Sequence, residues 1–248
     1  MILESSARPT LAEKLLVPPA LIGVCTLLYF FLSHFDIRIV GTPGQFTPLA
    51  TRLDDYVPFV PGFVFTYYLY YPWVFLSVFA VRDRRSFYHG VVAFLVLQLA
   101  ALVTFALLPS RMERPEVVGT GVAEVLVRLM YRLDAGGYNL LPSLHVAHTT
   151  LVSLLFLRYR RRWAPPVIVG TAAICVSTVL IKQHFVVDLP FGFVYALAAF
   201  HVTAGLPARV GAWLGARGRP VGELAGEPLT VESIGPRGQL SGRDSLRR

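Results

Sequence analysis

Six stretches free of Asp, Glu, Lys and Arg divide this chain: 15–35, 56–81, 86–110, 135–157, 163–181 and 189–208. Each is longer than the roughly 18 residues a helix needs to cross about 30 Å of hydrocarbon. No water is present in a bilayer core to satisfy backbone amides, so a span is either a helix or part of a closed barrel. Barrels need alternating segments of about ten residues, and none occurs. The sequence therefore predicts an all-α polytopic membrane protein with six transmembrane helices. Charged residues make up only 15% of the chain, well under the roughly 25% of soluble domains. Cys25 and Cys175 both fall inside apolar runs, where they read as small buried hydrophobes rather than a disulfide framework or a zinc site. The N-terminus has no short apolar run followed by a small-residue cleavage site, so the first segment reads as a retained span.

Orientation follows from the basic residues. Of 23 Lys and Arg, 16 lie on the side that holds the N-terminus, the second loop (Arg82, Arg84, Arg85), the fourth loop (Arg158, Arg160, Arg161, Arg162) and the C-terminal tail. The other seven are Arg38, Arg52, Arg111, Arg114, Arg128, Arg132 and Lys182. Both termini are expected in the cytoplasm, with the basic inner rim facing anionic lipid rather than nucleic acid. The division is a membrane domain over 1–208 and a Gly-, Pro- and Arg-rich tail over 209–248 that does not fold by itself. Apolar residues at helical spacing predict a helix at Val122–Leu133, lying flat on the outer surface.

Ionisable groups at span ends are costly and mark function by default. Three groups stand out: Ser110-Arg111-Met112-Glu113-Arg114-Pro115 after the third span, Pro142-Ser143-Leu144-His145 opening the fourth, and Lys182-Gln183-His184 with Asp188 after the fifth. All map to the outer face. This chemistry suits phosphoryl transfer, which needs cations for phosphate oxygens, a nucleophile and an acid. Arg114 and Lys182 are cations placed to hold phosphate, and Ser143 opens a helix whose first amides face an anion. His184 has Asp188 four residues on, a carboxylate able to accept from one ring nitrogen and leave the other nucleophilic. His145 then suits the acid that protonates the leaving group. Each has a plainer reading: packed or interfacial histidines, a helix-start acid, an N-cap serine, and snorkelling for Arg111, Arg114 and Lys182. His148 reads as packing, with orientation of His145 as its alternative. His34, His89 and His201 read as structural, Ser177 as a plain span residue, and Tyr67, Tyr68, Tyr70, Tyr71 and Trp73 as bundle packing.

At these residues the chain resembles the type 2 phosphatidic acid phosphatase superfamily, whose pattern is Lys-x6-Arg-Pro, Pro-Ser-x-His and Ser-Arg-x5-His-x3-Asp. The second motif is complete in Pro142, Ser143 and His145. The third keeps Ser177, His184 and Asp188 but has Thr178 for Arg, and the first keeps Arg114-Pro115 but has Leu107 for Lys. Arg111 and Lys182 are the neighbouring cations able to stand in. Tyr138 to Ala147, Lys182 to Phe185 and Val57-Pro58-Phe59-Val60-Pro61-Gly62 are similar to the branch containing inositol phosphorylceramide synthases, over about residues 50–205. The resemblance implies a lipid phosphoesterase that uses no metal or cofactor. His184 attacks phosphorus, Asp188 orients it, His145 protonates the leaving alcohol, and Arg114, Ser143 and Lys182 bind phosphate. Its substrate is a lipid phosphate in the membrane. A polyol or lipid alcohol acceptor makes it a headgroup transferase, the favoured reading, and water makes it a phosphatase. A non-catalytic lipid-binding or transport helper is the alternative of another class. The expected location is the plasma membrane, with the site on its external face.

Overall fold

The structure is a computed structural model that describes residues 8–39, 46–134 and 137–205, with backbone alone for 33–39. The tail predicted over 209–248, the tip of the first outer loop and the side chain of His34 lie outside the described residues. All regular elements among the described residues are helical. They are α1 (Leu11–Ile39), α2 (Arg52–Tyr56), a 3-10 turn (Pro61–Phe63), α3 (Val64–Tyr68), α4 (Tyr70–Phe75), α5 (Ser77–Ala80), α6 (Arg84–Leu107), α7 (Val122–Leu133), α8 (Leu144–Tyr159), a 3-10 turn (Arg161–Trp163), α9 (Ala164–Leu180) and α10 (Asp188–Thr203).

Among the described residues three segments are long and apolar enough to cross a membrane: Leu11–Leu32, Arg84–Leu107 and Arg161–Leu180. The other three uncharged stretches behave differently. The second is divided at Leu69 and Leu76, where amides reach back three residues to Thr66 and Trp73 instead of four. Pro72 explains the first break, because its missing N–H leaves the Tyr68 carbonyl without an i+4 donor. The fourth stretch uses 137–143 as non-helical chain, and α8 and α10 have 16 residues each, about 24 Å of helix.

Ser110 holds this non-helical chain: its carbonyl accepts from Asn139 N–H at 2.9 Å and its hydroxyl from Leu140 N–H at 2.9 Å. Met112 N–H donates to the Gly137 carbonyl at 3.0 Å. Gly137 (φ 77°) and Asn139 (φ 59°) take left-handed conformations that tolerate few residues other than Gly and Asn.

α8 is the central helix. Ten of its sixteen residues are buried, against α6, α9, α10 and the α4–α5 segment. Leu151, Val152 and Leu155 of α8 meet Leu97 of α6 and Ala196 and Ala199 of α10 in the main apolar cluster. Two glycines set how near helices of the bundle come to one another. A Cβ on Gly170 of α9 would stand 2.2 Å from the Trp73 ring, and one on Gly192 of α10 would stand 2.6 Å from the Ser143 carbonyl oxygen. By contrast α1 buries only Cys25 among its described side chains. Glu13 fastens one end of α1, accepting from Arg84 at 2.7 Å and Tyr88 at 2.9 Å, and Tyr29 fastens the other through Asp134 and the Tyr138 carbonyl.

Candidate active site

The chain turns sharply after α9. The Thr178 carbonyl accepts from both Gln183 N–H (2.8 Å) and His184 N–H (3.2 Å), and Lys182 adopts a left-handed φ of 51° to permit it. This turn sets His184 beside the first residue of α10. His184 Nδ1 lies 3.1 Å from Asp188 Oδ2, which also accepts from Phe185 N–H at 2.9 Å. An oxygen that already accepts an amide hydrogen is an acceptor for the ring as well, so Nδ1 donates to it and, in the neutral ring, Nε2 is the nitrogen that carries the lone pair. Asp188 is fully buried, and Ser143 N–H donates to its backbone carbonyl at 3.3 Å.

The second histidine comes from the first turn of α8. Ser143 caps that helix, its Oγ accepting from Val146 N–H at 3.4 Å. His145 Nδ1 stands 3.2 Å from His184 Nε2, although 39 residues separate them in sequence. The three residues predicted to perform the chemistry therefore form one hydrogen-bonded row.

The predicted phosphate ligands divide. The Arg114 side chain is 7% exposed and meets the residue before His184. Its guanidinium donates to Asp134 Oδ2 and, at 2.8 Å, to Gln183 Oε1, and lies 4.6 Å from the centre of the Tyr131 ring. Burial pushes the Tyr131 phenol up to about 12, so it stays a neutral donor to the Ile181 carbonyl at 2.7 Å. Lys182 is turned elsewhere: its ammonium donates to the carbonyls of Asp54 (3.2 Å) and Val57 (2.6 Å). With Asp54 Oδ1 accepting from Val186 N–H at 2.8 Å, it fastens α2 onto the loop that carries His184. Arg111 is exposed, over the Tyr138 ring at 5.4 Å.

Two residues not singled out from sequence, Gln183 and Asp134, belong here, together with Tyr67, which the sequence reads as bundle packing. Gln183 is 2% exposed, and while its carbonyl engages Arg114 its Nε2 has no hydrogen-bond partner among the described residues. Asp134 compensates Arg114. Tyr67 places its hydroxyl 2.8 Å from His145 Nε2. The tyrosine run is thus more than bundle packing. With Tyr29, its members wall a cavity of about 240 Å³ that ends on His145, His184 and Gln183. Four hydroxyl-bearing rings in an apolar stretch were the available signal, since buried tyrosine hydroxyls find partners. His148 bonds Tyr70 at 2.7 Å and stacks on Phe94, as packing predicts, and His89 is held by Tyr159 and the Phe200 carbonyl.

Two histidines and a buried carboxylate thus lie in one row, the histidines facing an aromatic cavity in an apolar helical bundle. A family model described as the PAP2 superfamily matches residues 56–202, and the chain belongs to that superfamily. The matched span contains every element of the row, from Tyr67 to Asp188. Members are phosphatases and phosphotransferases, which places this chain among integral membrane enzymes of the lipid phosphoesterase type. Comparison with curated proteins and with solved structures returns no match.

Proposed function

We propose that the protein is a lipid headgroup transferase that works through a phosphohistidine on His184. The observation that carries this reading is the row Asp188–His184–His145, whose hydrogen bonds leave a lone pair on His184 Nε2 beside a proton on His145 Nδ1. His184 Nε2 attacks phosphorus, the bond from phosphorus to the lipid alcohol breaks, and the departing oxygen takes the His145 Nδ1 proton. An acceptor alcohol then attacks, giving its proton back to His145 as the phosphorus–nitrogen bond breaks.

Charge favours a phosphodiester donor over a phosphomonoester. A diester carries one negative charge and a monoester about 1.5–2 at neutral pH. Leu107 and Thr178 replace two family cations, Lys182 donates to backbone carbonyls, and Arg111 is exposed over Tyr138. That leaves Arg114, already facing Asp134. Arg114, the Gln183 amide and the first turn of α8 behind Ser143 are the phosphate contacts in this reading. The acceptor is a polyol or lipid alcohol, in keeping with the likeness to inositol phosphorylceramide synthases. Six spans, cytoplasmic termini and a site on the external face of the plasma membrane complete the proposal. The scarcity of Lys and Arg at the site is the one feature that supports the alternative of a lipid-binding helper without turnover.

Incubating detergent-purified protein with labelled phospholipid diesters and monoesters, with and without inositol, tests these readings. Headgroup transfer from a diester, with acid-labile phosphoprotein trapped on quenching, is the expected result. Inorganic phosphate released from monoesters alone would make it a phosphatase, and lipid bound without any product would make it a helper.

A further inference from the structure

Tyr67 is one residue of a helix that supplies none of the superfamily's motifs, yet it ends the row. Reading outward from Asp188, each hydrogen bond has its direction determined by the one before. Asp188 Oδ2 accepts, so His184 donates from Nδ1 and its Nε2 is bare. A bare Nε2 accepts, so His145 donates from Nδ1 across the 3.2 Å gap. A neutral imidazole protonated on Nδ1 has an acceptor at Nε2, and there the Tyr67 hydroxyl stands at 2.8 Å and donates. With both rings neutral, this succession of acceptors and donors places the proton of each ring on Nδ1.

We propose that Tyr67 is the positioning residue of the acid: by donating to His145 Nε2 it holds the transferable proton on Nδ1, the nitrogen that faces the reacting group. This rests on the phosphohistidine reading above. As His184 Nε2 turns to phosphorus it stops accepting from His145, and without the phenol neutral His145 is then free to carry its proton on Nε2, where it faces away from the leaving oxygen. The ring also has a packing role, centred 4.8 Å from the His145 ring and 97% buried. Tyr67→Phe keeps that packing and removes the hydroxyl, with its hydrogen bond to His145 and its interaction with Tyr71. Tyr70 offers an internal comparison, because its ring is 4.4 Å from His145 but its hydroxyl goes to His148 Nδ1 at 2.7 Å.

The experiment compares two substrates with the same phosphorylated headgroup, one leaving as a lipid alcohol and one as a nitrophenolate, which needs little protonation. Tyr67→Phe is expected to lose about 10- to 100-fold in kcat on the lipid alcohol, a share of the 10²–10⁴ that a positioned acid contributes. KM should stay within about twofold, and the loss on the nitrophenyl ester within about threefold. Tyr70→Phe should keep the wild-type ratio of the two rates. The double variant Tyr67→Phe/His145→Ala should be no slower than His145→Ala, since residues acting as one unit do not add. Retained nitrophenyl turnover reports that the variants are folded. Equal losses on both substrates, or additive losses in the double variant, would overturn the assignment. Wild-type enzyme that turns over substrate without trappable phosphohistidine would instead remove the phosphohistidine reading, and the assignment with it.

Discussion

Gly192 and Ser143 touch through backbone: the glycine of α10 sits under the carbonyl that begins α8, and a Cβ at Gly192 would also lie 2.9 Å from Val146 Cβ. These are not the flexible ends of side chains, so the helices must part to admit a methyl group. Overpacking of this kind costs about 1–3 kcal/mol. Gly192→Ala should lower the thermal unfolding midpoint in detergent. It should also reduce turnover more than the stability loss explains, because α10 carries Asp188 and α8 carries His145. A variant with normal turnover at a temperature where it is fully folded would show that the close approach does not set the site.

Arg114 makes its contacts as a planar fork. Asp134 and Gln183 take hydrogen bonds from one edge, the Tyr131 carbonyl accepts at 3.4 Å, and the Tyr131 ring lies beneath. Lysine supplies the charge but neither the fork nor the stacking. Arg114→Lys is therefore expected to lose about 100-fold in kcat/KM, the scale of one preorganised donor at a developing charge. Lys182→Met should act differently, loosening α2 from the His184 loop. Measured side by side, activity should follow Arg114, and proteolysis near α2 should follow Lys182.

Much of this arrangement is legible in local pattern. Val122–Leu133 is a helix between those residues, as its apolar spacing predicts. The x3 interval between His184 and Asp188 places the two within a hydrogen bond. What local pattern does not contain is a partner 78 residues away, the distance in sequence between Tyr67 and His145. Asp134 and Gln183 escape for the same reason: each acquires meaning only through Arg114. An uncharged run likewise says that a segment tolerates lipid or protein around it, not that it is helical throughout. The run over 135–157 therefore hid the non-helical chain at 137–143, which Ser110 makes tolerable.

The orientation predicted from Lys and Arg is open to direct measurement. Val118 is 81% exposed, in the segment before α7, and Arg160 lies at the opposite end of α8 from His145. With Cys25 and Cys175 replaced, a single cysteine at 118 should react with an impermeant thiol reagent added to intact cells, and one at 160 should not. Equal or inverted labelling would overturn the predicted topology.

Activity should persist in excess chelator. In the proposed reaction a ring nitrogen is the nucleophile and the Arg114 guanidinium meets the phosphate charge, so the two tasks a divalent ion performs in phosphoryl transfer are already assigned to side chains. Loss of turnover on chelation, with recovery on adding magnesium, would mean that those assignments are wrong.

Asp188→Asn distinguishes charge from geometry in the support of His184. An amide in place of a catalytic carboxylate can impose the wrong tautomer on its histidine, and losses then reach about 10⁴. Here the amide has only one sensible orientation. Phe185 N–H donates to the Oδ2 position, so an NH2 group there would face another donor. The Oδ1 position has no hydrogen-bond partner among the described residues and admits the NH2 group instead. The amide oxygen then keeps accepting from His184 Nδ1, and Nε2 stays bare. What is lost is the negative charge that steadies the histidine as positive charge develops on it. Asp188→Asn is accordingly expected to slow turnover about 10- to 100-fold while still forming phosphoprotein in a single turnover, whereas His184→Ala should form none. Phosphoprotein absent from Asp188→Asn despite a folded chain would show that Asp188 does more than hold the tautomer and steady the charge. Phosphoprotein persisting in His184→Ala would move the nucleophile to another residue.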